Sequence, residues 1–214
     1  MEREVTALRI DPKRKRRIQV FLDGELAMTV AAGVADGLAV GDRLDEPALA
    51  DLLQRRDEAE ALAQALRLIS RRPRSEKELR QAWDRRGVSP QAQAAALGRL
   101  QLAGQVDDAA FAAAWVENRG AFHPTSRRAL RSELRLKGVD EETIGAALDG
   151  LDESQAAYRA AQRMANRAAG LPELDFRRRL GDQLARRGFD WETIRAAVRR
   201  VWTEQGDSPE EERG

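Results

Sequence analysis

Alternating apolar and polar residues near the start of the chain predict a small β-sheet. Apolar side chains occupy every second position in two runs that flank Asp23-Gly24: Ile18, Val20 and Leu22, then Leu26, Met28 and Val30. Side chains two residues apart share one face of a strand, and an Asp-Gly pair favours a tight hairpin turn. A basic turn at residues 12–16 separates this hairpin from an earlier apolar run at residues 5–10. We therefore expect a small β-hairpin or sheet to open the protein.

The next segment, residues 31–57, carries short helical patterns that glycine and proline interrupt. The interrupting residues are Gly33, Gly37, Gly41 and Pro47. Both residue types disfavour the interior of a helix. A charged stretch at Arg55–Glu60 follows, and we interpret it as a connector. The predicted N-terminal region of strands and short helices therefore spans residues 1–58.

From about residue 59 the sequence repeats with a period of about 50 residues, which is typical of repeat architectures. The three copies align on Gly87, Gly138 and Gly188. Apolar residues stand eight and four positions before each glycine: Leu79 and Trp83, Leu130 and Leu134, Leu180 and Leu184. Side chains four residues apart lie on one face of a helix. Each copy therefore contains an amphipathic helix that ends at its glycine.

Each aligned glycine is predicted to end one helix and to precede another. Glycine readily adopts the left-handed conformation that closes a helix. Two residues later stand Ser89, Asp140 and Asp190, which are residue types favoured as N-caps. Because a further amphipathic pattern precedes each such pair, we expect three helices in every copy.

These patterns together predict a mainly α-helical fold, with a small N-terminal β region followed by three tandem three-helix repeats. The predicted repeats span residues 59–104, 105–152 and 153–204, and an acidic flexible tail spans residues 205–214. A unit of this size holds only a small core, so neighbouring units are expected to stack into an elongated curved body.

The formal net charge of +1 hides an uneven distribution of charge. Lys and Arg outnumber Asp and Glu two to one between Arg71 and Lys137, whereas the C-terminal end is acidic. Such a basic body favours a polyanionic or acidic partner, although arginine-rich genomes also produce basic helices. Without cysteine there are no disulfides or thiolate sites, and no signal peptide or membrane-length apolar stretch is evident. We expect a cytoplasmic monomer without membrane contact.

Cationic side chains of the repeats are the candidate partner-binding residues. Arg127, Arg131 and Arg135 recur every four residues beside Arg128, and Glu133 is the only acid of that helix. This stripe suits phosphates or acidic groups, and a solvated face is the alternative. Cations before the glycines also favour the helix C-terminal dipole, which explains them without a partner. The full candidate set is Arg71, Arg72, Arg74, Arg85, Arg86, Arg127, Arg128, Arg131, Arg135, Lys137, Arg177, Arg178, Arg179, Arg186 and Arg187.

The sequence contains no convincing catalytic constellation. Asp107-Asp108 fits a helix start better than a metal site, and the single histidine, His123, has no accompanying triad pattern. The four tryptophans could stack nucleic-acid bases, but their helical spacing favours packing in the core or between repeats. We therefore expect neither an enzyme nor a bound metal or cofactor.

Several short motifs, through their order and spacing, resemble the RecX family. They are Val20-Phe21-Leu22-Asp23-Gly24-Glu25, Arg74-Ser75 with Glu78-Leu79, Asp107-Asp108 with Phe111-Ala112 and Trp115-Val116, Glu133-Leu134 with Lys137-Gly138-Val139, and Arg186-Arg187-Gly188-Phe189. The resemblance spans residues 18–201. The chain departs from it at His123–Ser126, where glycine is common. In addition, Gln93 stands where the sister repeats have isoleucine, which predicts looser packing of the first repeat.

The resemblance implies a regulator that binds the nucleoprotein filament of the RecA recombinase and restrains its growth and its ATP-dependent activities. Single-stranded or duplex DNA is an additional candidate partner. A helical transcription regulator acting directly on duplex DNA is the alternative, because a helix, a glycine turn and a helix resemble a helix-turn-helix. Acidic residues on the second helices disfavour it: Glu141, Glu142, Asp149 and Glu192.

Overall fold

The protein is described by a computed structural model that covers residues 2–206. The chain divides into two compact units, with the division between Asp107 and Asp108. The first unit holds the sheet and the first repeat, and the second unit holds the other two repeats. The predicted acidic tail lies outside the described residues apart from Gln205 and Gly206, which belong to the last helix.

An antiparallel sheet of four strands opens the first unit, in the order β3-β2-β1-β4. The strands are β1 (Arg3–Asp11), β2 (Arg14–Leu22), β3 (Glu25–Ala31) and β4 (Arg43–Leu44). Asp23 and Gly24 have φ values of 51° and 87° and form the predicted turn between β2 and β3. Val20 pairs with Met28 and both are buried. Ile18, Val20, Leu22, Met28 and Val30 therefore contribute to one core, as predicted. The expected inward position of Leu26 is wrong: it pairs with Phe21 next to a register shift in the sheet and is 52% exposed.

A single long helix replaces the predicted connector at Arg55–Glu60. The elements after β3 are α1 (Ala32–Ala35) and, following β4, α2 (Glu46–Ile69). Pro47 lies in the first turn of α2, where proline interrupts no hydrogen bond. Arg55 pairs with Asp51 one turn earlier on the helix surface. Paired surface charges are compatible with a helix. The prediction of a connector that ends the N-terminal region at residue 58 is therefore wrong.

Helix α2 contributes to two apolar cores. Near its start, Leu52 is fully buried against sheet residues that include Val20. Near its end, Ala61 and Ala65 pack with Trp83 of the first repeat. The continuous helix thus joins the sheet and the first repeat into one unit.

Three helices form each repeat, as predicted. The first repeat combines the end of α2 with α3 (Glu76–Asp84) and α4 (Pro90–Leu102). The second consists of α5 (Asp108–Phe122), α6 (Arg127–Lys137) and α7 (Glu141–Leu148). The third consists of α8 (Glu153–Ala165), a 3-10 turn (Asn166–Ala168), α9 (Glu173–Arg186) and α10 (Trp191–Gly206). None of the helices between residues 2 and 206 has the length and apolar character needed to cross a membrane.

The aligned glycines close their helices in the predicted conformation. Gly87, Gly138 and Gly188 have φ values of 68°, 86° and 86°. In each copy the residue after the glycine donates its N–H to the carbonyl of the residue four positions before the glycine, at 3.2 to 3.3 Å. This hydrogen bond is the Schellman closure. The predicted N-caps also form: Ser89, Asp140 and Asp190 accept from the backbone N–H three residues later.

Gln93 does not loosen the first repeat. Its side chain is buried, and its Nε2 donates to Asp84 Oδ1 at 2.8 Å and to the Val88 carbonyl at 3.0 Å. A buried amide with its hydrogen bonds made is not destabilising. Gln93 therefore ties α4 to the Gly87 turn, and the prediction of looser packing there was wrong.

Three of the four tryptophans pack as expected, and Trp191 does not. Trp83 is fully buried, while Trp115 and Trp202 are partly buried against aromatic neighbours. Trp191 is 68% exposed. Residues from Ile194 onward fill the core face of α10, and Trp191 lies one turn before them at the helix start. The expectation of a buried position for Trp191 is corrected accordingly.

Replacing Trp83 with phenylalanine should destabilise the first unit by about 1–2 kcal/mol. The change removes the hydrogen bond from Trp83 Nε1 to the Ala61 carbonyl at 3.0 Å and leaves part of a fully buried site empty. Urea unfolding followed by circular dichroism measures the loss. Trp202→Phe is the control, because Trp202 is only partly buried, and equal losses for both variants would contradict the assigned role of Trp83.

Candidate functional site

Six arginines of the first unit line one groove between the sheet and the first repeat. Arg14 and Arg17 lie on β2, Arg67 and Arg71 lie on or just after α2, and Arg85 and Arg86 follow α3. We call this surface the arginine groove. It consists of two cavities of about 660 Å³ and about 350 Å³, which share Gln64, Arg67 and Arg86. The sheet and the helices thus bring together cations from distant parts of the sequence.

Negative charge in the arginine groove is limited to Glu60. Its carboxylate pairs with Arg17. Within residues 2–206, no carboxylate lies within ion-pair distance of the other five guanidinium groups. Uncompensated cations that face one concave surface create a positive potential there. The groove is therefore suited to an anionic partner.

Two buried hydrogen bonds fix the spacing of the helices that carry the groove. Gln64 Nε2 of α2 donates to the Ala82 carbonyl of α3 at 3.2 Å, and Trp83 Nε1 donates to the Ala61 carbonyl at 3.0 Å. Gln64 also lines both cavities. These contacts hold α2 against the end of α3, so that Arg67 and Arg86 open onto the same space.

The chemistry that the groove offers is the binding of anions. Guanidinium groups present several N–H donors in a plane that matches carboxylates and phosphates. The lining contains no cysteine, serine, threonine or histidine. Among the described residues, no group of histidine, aspartate or glutamate side chains comes together in a way that could hold a metal ion.

The sequence prediction identified half of the arginine groove. It included Arg71, Arg85 and Arg86 and missed Arg14, Arg17 and Arg67. Arg67 could have been found, because it stands four residues before Arg71 and shares that face of a helix. The positions of the two β2 arginines depend on how the sheet packs against α2, for which the sequence offers no pattern.

Arg72 and Arg74 lie outside the groove and hold Glu78. Both terminal nitrogens of Arg72 donate to the Glu78 carboxylate at 2.9 Å. Arg74 lies 3.9 Å from the same carboxylate and is partly buried. Since Glu78 belongs to the first turn of α3, these two candidates stabilise the entry to that helix.

Three arginines of the predicted cationic stripe on α6 bind groups that follow that helix. Arg135 donates to the Glu141 carboxylate at 2.8 Å, and Arg131 forms an ion pair with it at 2.9 Å. Arg127 Nη2 donates a hydrogen bond to the Leu151 carbonyl at 3.0 Å. Although Glu133 is the only acid of α6 itself, Glu141 at the start of α7 therefore offsets part of the positive charge of the stripe.

Glu133, the only acid of α6, faces α5. Its Oε2 accepts hydrogen bonds from Trp115 Nε1 at 2.7 Å and from Arg119 Nε at 2.8 Å. Lys137 Nζ lies 5.0 Å from the centre of the Trp115 ring, within range of a cation–π contact. Lys137 thus takes part in the packing of the second repeat.

Arg187 joins the second and third repeats. Its Nη1 donates to the Pro124 carbonyl at 3.1 Å, and its own carbonyl accepts from the Ser126 N–H at 3.2 Å. Burial, together with the nearby positive charge of Arg163, lowers the pKa of Arg187. Arg163 donates to the Phe122 carbonyl at the end of α5, at 2.8 Å. Two arginines of the third repeat therefore bind the His123–Ser126 loop and the helix end that precedes it.

The remaining candidate arginines are not gathered into the groove. Arg177 pairs with Glu173, and Arg128 makes only a long contact of 3.5 Å with the Gly188 carbonyl. The others are exposed on or next to α9: Arg178, Arg179 and Arg186. Of the predicted set, the structure thus brings Arg71, Arg85 and Arg86 together in the groove, while Arg127, Arg128 and Arg131 line a separate pocket that also contains the carboxylates of Glu153 and Asp190.

Three family models match the repeats. They are described as the first, second and third three-helix domains of RecX, and they match residues 61–100, 107–148 and 152–198. Each matched range covers one set of three helices in the structure. Together the three models account for more than half of the chain.

Curated relatives carry the name "Regulatory protein RecX". The chain is 41% identical to that of Thermobifida fusca over 162 residues, which cover 73% of this chain and 88% of the relative. It is 46% identical to that of Mycobacterium ulcerans over 136 residues, which cover 62% of this chain and 79% of the relative. A relative from Bacillus licheniformis is 29% identical over 97% of this chain and 81% of its own length.

Solved structures share the fold. A crystal structure of regulatory protein RecX superposes with a TM-score of 0.69 at 24% identity and covers 91% of this chain and 98% of its own. RecX from Lactobacillus salivarius superposes with a TM-score of 0.58 at 17% identity and covers 69% of this chain and 97% of its own. Both structures support the fold described above.

Proposed function

Because this chain belongs to the RecX family of regulatory proteins, we propose that it binds the RecA nucleoprotein filament and restrains its recombinase and ATPase activities. The arginine groove is the observation that carries the proposal. A filament of DNA coated with protein presents phosphates and acidic side chains. Such groups match the five guanidinium groups of the groove that have no carboxylate partner within residues 2–206.

Binding through the groove accounts for regulation without catalysis. Anionic groups of the filament replace the water around five uncompensated guanidinium groups, and charge-assisted hydrogen bonds are among the stronger polar contacts in proteins. A protein held in this way restrains the conformational changes of the filament that accompany ATP turnover. The proposed active form is a monomer in the cytoplasm, with no metal or cofactor.

Direct reading of duplex DNA has less support. A helix-turn-helix protein places the start of its second helix against base edges. Here α7 begins with Glu141 and Glu142, and α10 begins with Trp191 and Glu192. Carboxylates at those positions repel the phosphates on both sides of the groove of the duplex.

A titration of the DNA-dependent ATPase of RecA tests the proposal. We expect the protein to suppress ATP turnover and to bind RecA-coated single-stranded DNA at least tenfold more tightly than a duplex of the same length without RecA. Gel shift at two salt concentrations compares the affinities. An unchanged ATPase rate at saturating protein, or preferential binding to the bare duplex, would refute the proposed function.

A further inference from the structure

The third repeat differs from its two sisters at four positions that meet in space. With the repeats aligned on their closing glycines, Gly181 replaces Arg80 and Arg131, and Trp191 replaces Pro90 and Glu141. Likewise, Arg195 replaces Ala94 and Gly145, and Arg199 replaces Gly98 and Asp149. All four residues line one pocket between α9 and α10. Packing within the repeat does not require this combination, since the sister repeats fold without it.

The equivalent place in the second repeat is closed by an ion pair. There, Arg131 on α6 and Glu141 on α7 lie 2.9 Å apart. In the third repeat the arginine is a glycine and the glutamate is a tryptophan. As a result, a pocket of about 180 Å³ opens, with Ile194 and Val198 in its lining. We call it the Trp191 pocket.

One face of α10 supplies both an aromatic ring and positive charge to the Trp191 pocket. Trp191, Arg195 and Arg199 are spaced by four residues and therefore lie on the same face. The Trp191 side chain is largely exposed, and among the described residues neither Arg195 nor Arg199 has an ion-pair partner. Arg177 lines the opposite side and pairs with Glu173.

Gly181 keeps the pocket open. A Cβ atom placed there would lie 3.8 Å from Ile194 Cγ2, which is ordinary van der Waals contact. A larger side chain would extend into the space above Ile194. The glycine has a helical conformation without positive φ, so the backbone does not require it. Because Gly181 has no side chain, it leaves the space that forms the Trp191 pocket.

We propose that the Trp191 pocket binds an unpaired nucleotide of single-stranded DNA. The base stacks on the Trp191 ring above the apolar floor of Ile194 and Val198, and the adjoining phosphates contact Arg195 and Arg199. Stacking on exposed aromatic side chains beside a positive surface is the general chemistry of single-strand binding. This inference goes beyond the proposed function, because it requires no RecA.

The observations favour a nucleotide over an acidic peptide. The lining of the pocket combines the tryptophan with the apolar side chains of Ile194 and Val198, and its cations are arginines, whose planar groups stack on bases and bind phosphates. The backbone groups of α9 and α10 are bonded within their helices. They offer no edge to which an extended peptide could add.

Fluorescence anisotropy with a labelled 20-nucleotide oligothymidylate tests the pocket on the full-length protein. Trp191→Ala should weaken binding about tenfold, whereas Trp191→Phe should remain within threefold of the unchanged protein because a stacking surface remains. Arg195→Gln with Arg199→Gln should weaken binding and make it less salt-dependent, with the slope of log affinity against log salt falling by about 1.4.

Two controls separate stacking from general charge attraction. Arg178→Gln with Arg179→Gln removes the same charge outside the pocket and should weaken binding less than threefold. An abasic oligomer of equal length should bind the unchanged protein and Trp191→Ala equally, because it has no base to stack.

Full binding of oligothymidylate by Trp191→Ala would overturn the proposal, as would a loss that persists with the abasic oligomer. A defect of Trp191→Ala confined to RecA-coated DNA would assign the pocket to a protein contact and would also overturn it. Failure of the proposed RecA regulation leaves these measurements unaffected, because they contain no RecA.

Discussion

Replacement of Arg67, Arg71, Arg85 and Arg86 by glutamine together is expected to weaken inhibition of the RecA ATPase by a hundredfold or more. These four exposed guanidinium groups have no ion-pair partner within residues 2–206, so their removal breaks no internal salt bridge. A charged hydrogen bond at a partly exposed site contributes about 1 kcal/mol, and four such losses correspond to about a thousandfold in affinity when they are additive. A titration of ATPase inhibition gives the concentration for half-maximal effect.

An equal loss of charge elsewhere is the matched control for the groove. Arg128, Arg178, Arg179 and Arg186 are exposed on the second and third repeats, and their joint replacement by glutamine should shift half-maximal inhibition by less than fivefold. Circular dichroism checks that both variants are folded. Unimpaired inhibition by the folded groove variant would remove the groove from the mechanism. Equal losses in both variants would show that total charge, rather than the groove, sets the affinity.

The repeats were predictable because each one is specified locally. The helix end at Gly138 depends on a glycine, on a leucine four residues before it and on an N-cap two residues after it, all within a short stretch. The turn at Asp23-Gly24 is likewise specified by its own two residues. In contrast, the charged stretch at Arg55–Glu60 was misread, because charge density alone does not distinguish a linker from the exposed face of a long helix.

The candidate site was less predictable because charge compensation acts over long distances in sequence. Glu141 pairs with Arg131 and Arg135 only once α7 has packed beside α6. Conversely, Arg14 reaches the groove only because the sheet packs against α2. A stripe of cations along one helix therefore predicts a binding surface poorly until the neighbouring helices are known.

The exposure of Trp191 was also not predictable from the spacing of apolar residues along its helix. Its spacing from Ile194 and Val198 is helical, which favours a position in the core. However, the helix begins at Trp191 itself. The four positions that open the pocket could have been recognised by comparing the three repeats at equivalent positions. Positions at which the repeats differ, more than the positions that they share, indicate residues that serve binding instead of packing.

Replacement of Gly188 by alanine should destabilise the second unit by about 3 kcal/mol, whereas the same change at Gly87 should cost the first unit about 1 kcal/mol. Gly188 and Gly87 have φ values of 86° and 68°, so both variants bear the cost of a left-handed alanine, about 1 kcal/mol. At Gly87 a Cβ meets nothing within 4 Å, but at Gly188 it would lie 2.6 Å from Ser126 Oγ and 3.2 Å from Ala129 Cβ. Overpacking of this kind costs roughly 1–3 kcal/mol.

Ser126 cannot easily move away, which is why the clash at Gly188 is costly. It is fully buried, its Oγ caps α6 by accepting from the Ala129 N–H at 3.2 Å, and its N–H is bound to the Arg187 carbonyl. In a Ser126→Gly background, where glycine remains an acceptable N-cap, the cost of Gly188→Ala should fall by at least 1 kcal/mol. Urea unfolding of the four proteins of this double-mutant cycle, with hydrogen exchange of α6 as a local probe, measures the coupling. Equal costs at Gly188 and Gly87, or no coupling to Ser126, would show that the second and third repeats are not held together at this contact.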